Sequence, residues 1–384
     1  MYAFDGPSTS KVIENAPAPI TAYTDAQKWY LRDANWSPDF PTSAERILTS
    51  YTNERRFANM PGLPPSVVIA FEPAFFERLL AFVGPVSAEG KTYSSENVMD
   101  FLEKDVEQDF LKKGLAVSER KKIVAEVGGR LMEKLKKIPA EKYAKLVHLL
   151  AGSLADKQIL LYAQDPAMLK PLDARGWTGR TLGSSSDFLW VVDANLGGFK
   201  TDRVLDRNIG YTLDTSDANH LKATVTLTYH HTHPGFDYRT TRYRSYTRIY
   251  VPDGSTFISS SGSMKNDLHE THGVLVPGTV DVTHELGKTV FGTFWAIEPG
   301  KTGTLSFTYE LPPSVVTSIA ENQYILVWQK QPGVDNATLT LDLRLGKNIQ
   351  TVSPPEDQKY WGDTRVQMDL VSQRDQTIQV KLAP

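Results

Sequence analysis

The feature that most restricts the fold is an alternation of apolar and polar residues that begins near Asp187 and continues to the end of the chain. Successive side chains of a β-strand point to opposite faces, so such alternation over about four to eight residues is typical of strands with one buried face. The segments are separated by turns rich in Gly, Pro and Asp, and their spacing predicts an antiparallel β-sandwich. Examples are ATVTLTY, RYRSYTRIYVP, KTVFGTFWAI, GTLSFTYELP and TIQVKLAP.

The first half of the chain has a different pattern. SVVIAF (residues 66–71) predicts a short buried strand, and EPAFFERLLAFVG (residues 72–84) predicts a helix with Pro73 in its first turn. Residues 95–163 are predicted to be helical throughout. We therefore predict a multidomain α+β protein. Its parts are an α/β domain over residues 1–205 with a helical segment at 95–163, and a β-sandwich region over 206–384 that divides into 206–311 and 312–384.

Composition excludes several classes of function. The 384 residues include no Cys, which rules out a disulfide scaffold, a thiol nucleophile and Cys-based metal sites. A net charge of −3 gives no reason to expect nucleic acid as a partner. No apolar run reaches the length of a membrane span, so we expect a soluble chain. The sequence also contains no phosphate-binding loop, serine-hydrolase elbow or H-E-x-x-H motif.

The loop RDANWSPDFP (residues 32–41) is the first candidate site. A guanidinium suits phosphate oxygens and carboxylates suit Mg²⁺, so Arg32, Asp33 and Asp39 are suited to bind an anion together with a cation. The alternative is structural. In that interpretation an Arg–Asp pair and an Asx turn order the loop, and Trp36 is buried beneath it.

A second candidate is the segment YHHTH, in which His231 and His233 are two residues apart at the end of a strand. Two imidazoles on one strand face can form a metal pair, with His269, His272 or His284 as a third ligand. The alternative is that the pair is structural, because no acidic partner stands at a diagnostic spacing. Between residues 237 and 250, alternating Arg and aromatic residues suit either sugar stacking or an ordinary strand.

The segments WYLRDANWSPDFPTSAERI, SVVIAFEPAFFERLLAFVGPV, YSSENV, DFLWVVDANLGGFKTDRVLDRNIGY and ILVWQKQPG resemble the bacterial DUF4012 family, in that order and over nearly the whole chain. This resemblance implies a cell-envelope protein outside the cytoplasmic membrane. The family usually carries an N-terminal membrane helix and an E-L-R-P-T-G-G-F strand before this region, and neither is present in this sequence. We therefore expect full-length relatives to be membrane-anchored.

A weaker similarity links the chain to the LytR-CpsA-Psr phosphotransferases, which attach glycopolymers to the cell wall. It rests on LRD (residues 31–33), the helix after Asp39, SVVIAF, FFERLL and GPV (residues 84–86), which follow one another in the same succession. On this similarity Arg32 and Asp33 would face a lipid-linked pyrophosphate and its Mg²⁺.

These resemblances imply an extracytoplasmic cell-envelope protein with a cell-wall or surface glycan or a lipid-linked pyrophosphate as partner and, if it is an enzyme, phosphoryl or glycopolymer transfer. Asp33 would position Mg²⁺, Arg32 would neutralise phosphate charge, and Asp39 would act as a base or second metal ligand. Two alternatives remain open at this point. One is a non-catalytic surface module for binding or adhesion, and the other is a metal-dependent hydrolase that uses His231 and His233.

Overall fold

The structure, a computed structural model, describes residues 10–11, 13–112, 114, 119, 121–335 and 337–384. Their contacts divide the chain into two compact units. The first consists of Trp29–Arg180 with the residues up to Glu14, and the second of Asn15–Lys28 and Thr181–Pro384. The chain thus enters the second unit briefly before it completes the first. The predicted domain boundary at residue 205 falls inside the second unit, at the start of a strand.

The first unit contains most of the helices. After α1 (Ala18–Tyr23), which belongs to the second unit, they are α2 (Phe40–Phe57), α3 (Pro73–Val83), α4 (Val98–Lys104), α5 (Phe110–Lys112), α6 (Lys122–Lys136), α7 (Tyr143–Ala155) and α8 (Pro166–Asp173). The strands of this unit are β1 (Val67–Phe71), β2 (Val86–Ala88), β3 (Lys91–Tyr93) and β4 (Ile159–Ala163).

The strands of the first unit form two small sheets. β1 pairs with β4 and β2 pairs with β3, and both pairs are antiparallel. The unit is therefore α+β and lacks, in its described residues, the parallel pairing that the predicted α/β domain implies. α2 packs on one face of the β1–β4 sheet through Phe40, Ala44 and Leu48. A second core lies between α3, α4, α6 and the β2–β3 hairpin, where Val98 and Val127 are fully buried.

Two predictions for this unit were wrong in detail. Residues 159–163 form β4, although we predicted helix up to residue 163. α7 ends at Ala155, and Lys157 adopts a left-handed backbone (φ 58°) that a continuing helix does not allow. β1 was predicted to be buried, yet Ile69 and Phe71 are 60% and 59% exposed because only one face of this strand is covered.

The second unit is a β-sandwich. One sheet has seven strands in the order β10-β11-β8-β5-β13-β17-β15, and the other has six in the order β16-β14-β6-β7-β12-β9. The strands are β5 (Asp187–Asn195), β6 (Leu205–Asp214), β7 (Lys222–His231), β8 (Tyr243–Pro252), β9 (Thr256–Ser261), β10 (Asp281–Glu285), β11 (Lys288–Ile297), β12 (Thr302–Glu310), β13 (Gln323–Gln329), β14 (Thr338–Arg344), β15 (Ile349–Ser353), β16 (Arg365–Val371) and β17 (Gln376–Leu382). A short helix, α9 (Pro313–Ala320), precedes β13.

The predicted sandwich is present, with two differences. The pairs β5–β13 and β6–β14 are parallel, so the sheets are mixed rather than purely antiparallel. Strands from both sides of residue 312 share both sheets, so the predicted division at that residue runs through each sheet. The two sheets meet through aromatic side chains. The rings of Tyr229 and Trp295 lie 5.1 Å apart, and those of Phe291 and Tyr309 lie 5.5 Å apart.

Candidate functional site

Arg32 and Asp33 lie in a single turn of 3₁₀-helix, Leu31–Asp33, before α2. The Arg32 Nε and Asp33 Oδ2 atoms are 3.3 Å apart, and the Arg32 side chain is 49% exposed. The guanidinium also lies 5.5 Å from the ring centre of Tyr30. An exposed pair between adjacent residues contributes little to stability, of order 0–1 kcal/mol. Arg32 and Asp33 are two of the three residues from which the sequence predicts a combined anion and cation site.

Asp39 has a different environment. It is 3% exposed and is the N-cap of α2, where its Oδ2 accepts hydrogen bonds from the backbone N–H of Thr42 at 3.1 Å and from the Thr42 hydroxyl at 2.8 Å. This is the usual role of an Asp that precedes a helix, because the first N–H groups of the helix have no partner within it. The Asp39 carboxylate is therefore already engaged in the helix cap, and a role as base or metal ligand would compete with these hydrogen bonds.

A tryptophan that the sequence analysis did not single out contacts the loop backbone. The predicted Trp36 is partly buried. Trp29 donates its indole N–H to the Asp33 carbonyl oxygen at 2.8 Å, and the Arg46 guanidinium stacks on its ring at 4.0 Å from the centre. A tryptophan has a broad apolar face and one donor, so it can fix a loop backbone in this way. In the sequence, the indication that Trp29 contacts the loop was its position just before it.

His231 and His233 are separated by the end of β7. His231 is fully buried, and its Nε2 lies 2.9 Å from the Thr241 carbonyl oxygen. His233 lies in the following loop, where its Nδ1 is 2.7 Å from the Gly235 carbonyl oxygen and its Nε2 is 3.6 Å from Asp237. Within the described ranges, no three His, Asp or Glu side chains are grouped as metal ligands would be. His284 pairs with Asp253 at 3.1 Å.

The Arg–aromatic strand forms β8, and its tyrosine rings do not present a flat surface. Tyr243 and Tyr250 are fully buried and Tyr246 is 5% exposed. The arginines of this segment form ion pairs instead. Arg242 pairs with Glu298, Arg244 with Asp267 and Arg248 with Glu285.

A cleft of about 570 Å³ opens in the second unit where the end of β9, the loop 262–278, the end of β11 and the start of β12 meet. Cavities of roughly 300–1,000 Å³ are typical of small-molecule sites. Apolar side chains line part of it, among them Met264, Leu268, Trp295 and Ile297. Hydroxyl groups line the remainder, on Ser260, Ser261, Ser263, Thr302 and Thr304. Glu298 and Lys301 add one charge of each sign.

Glycines allow the backbone segments around the cleft to approach closely. Gly262 has φ +88°, and a Cβ atom there would lie 2.0 Å from the Thr304 carbonyl oxygen. A Cβ atom on Gly278 would lie 2.4 Å from the carbonyl oxygen of Met264. Both distances are far below van der Waals contact, so no other residue fits these positions without a backbone shift.

The loop 262–278 is fixed at its base and at its tip. At the base, the Met264 N–H donates to the Phe294 carbonyl oxygen at 2.8 Å, which ties the loop to β11. At the tip, the buried Asp267 carboxylate lies 2.7 Å from Arg244 Nε and accepts the His269 N–H at 2.8 Å. A wall held at both ends has little freedom to lose on binding, which favours a preformed site.

Glu298 is held in place from behind. Arg242 Nε donates to Glu298 Oε1 at 3.0 Å and lies 3.9 Å from Asp267 Oδ1, so it links the cleft carboxylate to the loop. The turn that carries Lys301 is held by the His231 backbone. The His231 N–H donates to the Lys301 carbonyl oxygen at 2.9 Å, and the His231 carbonyl oxygen accepts from Gly300 at 3.1 Å. The histidine segment singled out in the sequence therefore positions the cleft.

The described residues that line the cleft include few side chains of the general acid or base type. Among the described residues that line it, Glu298 is the one carboxylate and none is a histidine. Glycoside hydrolysis, for example, ordinarily needs two carboxylates on either side of the bond. An exposed aromatic ring lies close by: Phe236 is 59% exposed and stacks on the Arg242 guanidinium at 5.3 Å.

Comparisons with known proteins add a family match and no established function. The model of a family described as a protein of unknown function, DUF4012, matches residues 3–106. That range is shorter than the near-complete coverage expected from the motifs. No curated protein matches the chain. None of the helices in the described part of the chain has the length and apolar character that a bilayer crossing needs.

Two solved structures show how limited the structural likeness is. A Legionella pneumophila protein described as nutrient binding aligns with 7% identity and a TM-score of 0.29, over 51% of this chain and 71% of its own. An M1 zinc metallopeptidase from Deinococcus radiodurans aligns with 12% identity and a TM-score of 0.23, over 46% of this chain and 42% of its own. The chain thus spans less than half of the peptidase. At these TM-scores neither likeness bears on function.

Proposed function

We propose that this protein is a non-catalytic glycan-binding module of the bacterial cell envelope, which binds sugar through the cleft in its second unit. The observation that carries the proposal is the cleft itself, with its anchored loop and its mixture of hydroxyl and apolar lining. Its placement outside the cytoplasmic membrane is part of the proposal and is supported by the sequence resemblance to DUF4012 proteins.

A sugar matches this lining for two reasons. The faces of a sugar ring carry C–H groups that pack on apolar side chains such as Leu275, which lines the cleft and is 66% exposed. Its hydroxyls both donate and accept hydrogen bonds, as serine and threonine side chains do. Glu298 and Lys301 carry one charge of each sign, so the side chains that line the cleft sum to no net charge. A neutral or weakly charged polymer therefore suits it better than a highly charged ligand.

Phosphoryl transfer at Arg32, Asp33 and Asp39, with Mg²⁺ on the two carboxylates, has less support. Asp39 is buried and engaged as a helix cap, while Arg32 and Asp33 pair with each other at the surface. Transfer would require these groups to meet around one phosphate and its metal. A metal-dependent hydrolase on His231 and His233 has still less support, because His231 is enclosed in the sandwich.

The proposal is tested by blocking the cleft. Ser261 lines the cleft and is exposed, whereas Ser259 is exposed on the same strand and lies outside it. Ser261→Trp should fill the cleft and lower glycan affinity at least about tenfold, and Ser259→Trp adds the same ring as a matched control. The readout is titration with cellohexaose, chitohexaose, maltohexaose and purified cell-wall polysaccharide, with and without a chelator.

Binding that is lost only in Ser261→Trp and is insensitive to the chelator is the expected result. Two outcomes contradict the proposal. One is a folded wild-type protein that binds none of these glycans. The other is binding that both tryptophan variants weaken equally, since it would then not involve the cleft.

A further inference from the structure

A second opening lies in the first unit, between α6 and the β2 strand, with a volume of about 330 Å³. Three cationic side chains line it, Arg130, Lys134 and Lys137, against one carboxylate, Glu133. We call it the basic groove. Nothing in the proposed glycan cleft depends on it, and the two can be tested separately.

The basic groove keeps a positive charge after its neighbouring carboxylates are counted. Arg130 forms ion pairs with Glu126 at 3.9 Å and with Glu133 at 3.6 Å, so these two carboxylates offset two of the positive charges. Its guanidinium is also half-exposed, at 53% of the side chain. Lys137 forms no ion pair with any carboxylate in the described part of the chain. The net side-chain charge of the groove is therefore positive.

One cation of the groove is fixed in position. The Lys134 ammonium donates a hydrogen bond to the Pro85 carbonyl oxygen, across the groove from its own helix. The preceding Gly84 has φ +85°, and a Cβ atom there would lie 3.7 Å from Lys134 Nζ. A lysine on a solvated helix face normally samples several rotamers. Because Lys134 is already anchored, less side-chain entropy is lost when a ligand binds. Ser87, on β2, adds a hydroxyl donor to the same lining.

The field of α6 acts against an anion here, because the groove lies near the C-terminal end of that helix. The macrodipole amounts to about half a negative charge at a helix C-terminus. Three cations against Glu133 and the adjacent Glu126 leave one positive charge, so the sum with the dipole is still positive, at about half a charge. A ligand group with one to two negative charges and several acceptor oxygens satisfies both the charge and the donors.

From this geometry we propose that the basic groove binds a phosphate group. A phosphate ester carries that charge, and guanidinium and ammonium groups are its usual partners in proteins. The phosphate has two sources: a soluble phosphate ester, such as a unit of a phosphate-bearing polymer, or the headgroup of an anionic lipid.

The first experiment is a calorimetric titration of the intact protein with sodium pyrophosphate at low salt, with sodium sulfate as a comparison. We expect saturable pyrophosphate binding that weakens at least about tenfold in the double variant Arg130→Gln/Lys137→Gln. That variant keeps the Lys134 anchor and so preserves the local structure. Lys136→Gln is the matched control: it lies on the same helix and does not line the groove.

Vesicles then separate the two sources. Sedimentation with vesicles containing phosphatidic acid, relative to pure phosphatidylcholine, identifies a lipid headgroup if the double variant abolishes it and Lys136→Gln does not. Pyrophosphate binding without vesicle binding identifies a soluble ester. The proposal is overturned if the wild type binds neither probe, if Lys136→Gln weakens binding as much as the double variant, or if sulfate binds equally well. Glycan binding in the cleft should be unchanged in all these variants.

Discussion

Asp187 is a carboxyl group enclosed within the sandwich core. It accepts hydrogen bonds from the Tyr324 hydroxyl at 2.6 Å, from the Tyr211 hydroxyl and from the Phe188 N–H at 2.7 Å. Burial is the largest influence and raises the pKa of Asp187 from 3.8 to about 6, although these hydrogen bonds act in the opposite direction. The folded state therefore holds this proton more tightly than the unfolded state does.

The pH dependence follows from that difference. Stability from the Asp187 proton should be fully present below about pH 4 and should be lost as the pH rises to about 6, by about 3 kcal/mol in total. Asp187→Asn cannot titrate, so its free energy of unfolding should improve relative to wild type over this interval. Urea denaturation at pH 4, 5, 6 and 7 checks this. Parallel curves for the two proteins would show that Asp187 does not titrate there.

Asp39 and Asp33 should respond differently to substitution. Asp39→Ala removes the N-cap of α2 and should lower the free energy of unfolding by about 0.5–2 kcal/mol. Asp33→Asn breaks only an exposed pair and should change it by about 0–1 kcal/mol. Thermal denaturation of both variants measures the contrast. Equal losses would mean that Asp33 has a structural role beyond its contact with Arg32.

At the scale of the element, periodicity predicted most of the regular structure. α3 was predicted over residues 72–84 and spans Pro73–Val83, because its apolar residues share one helix face. β4 was missed because ILLYA is an uninterrupted apolar run that follows a helix, and such a run fits a buried helix and a buried strand equally well. The exposed face of β1 was also missed, since an apolar side chain does not reveal whether the fold covers it.

Alanine substitutions at two glycines test how closely the backbone packs at the cleft wall. Gly287→Ala is the reference, because it places a Cβ in open space at φ +67°. It should lower the free energy of unfolding by about 1–2 kcal/mol through left-handed strain alone. Gly262→Ala has similar strain and also brings its Cβ to 2.0 Å from the Thr304 carbonyl oxygen. That overlap should cost a further 1–3 kcal/mol, roughly the range for overpacking.

Chemical denaturation of the two alanine variants provides the comparison. If Gly262→Ala costs no more than Gly287→Ala, then the β9 edge moves freely away from β12. In that case the cleft is not the rigid site that the glycan proposal requires.

At the scale of the whole molecule, the cleft could not have been predicted from the sequence. Its lining comes from four separate segments. The pairing of β9 with β12 brings Ser261 opposite Ser306, near Thr304, whereas Trp295 comes from the other sheet. None of these four segments carries a recognisable sequence motif. The loop with Arg32, Asp33 and Asp39 was conspicuous because its polar residues are adjacent in sequence. Adjacency, however, is equally typical of a helix cap and an ordered turn.

The last prediction concerns the segment Asn15–Lys28, which belongs to the second unit although the chain on both sides of it belongs to the first. Within the second unit, the Tyr23 ring stacks on Phe294 at 4.1 Å between centres. A cut between the units, near residue 183, should therefore leave two fragments that still associate, because the first fragment keeps this segment packed in the second unit.

A specific protease site inserted between Gly183 and Ser184 makes the cut, since Gly183 is exposed. The nicked protein should elute as one species on gel filtration at micromolar concentration. Tyr23→Ala removes the stacked ring and should weaken the association measurably, because large aromatic side chains dominate interfaces of this kind. Tyr238→Ala, an exposed tyrosine of the second unit, is the control and should leave the elution unchanged. Immediate separation of the nicked wild type would show that Asn15–Lys28 contributes too little binding energy to count as part of the second unit.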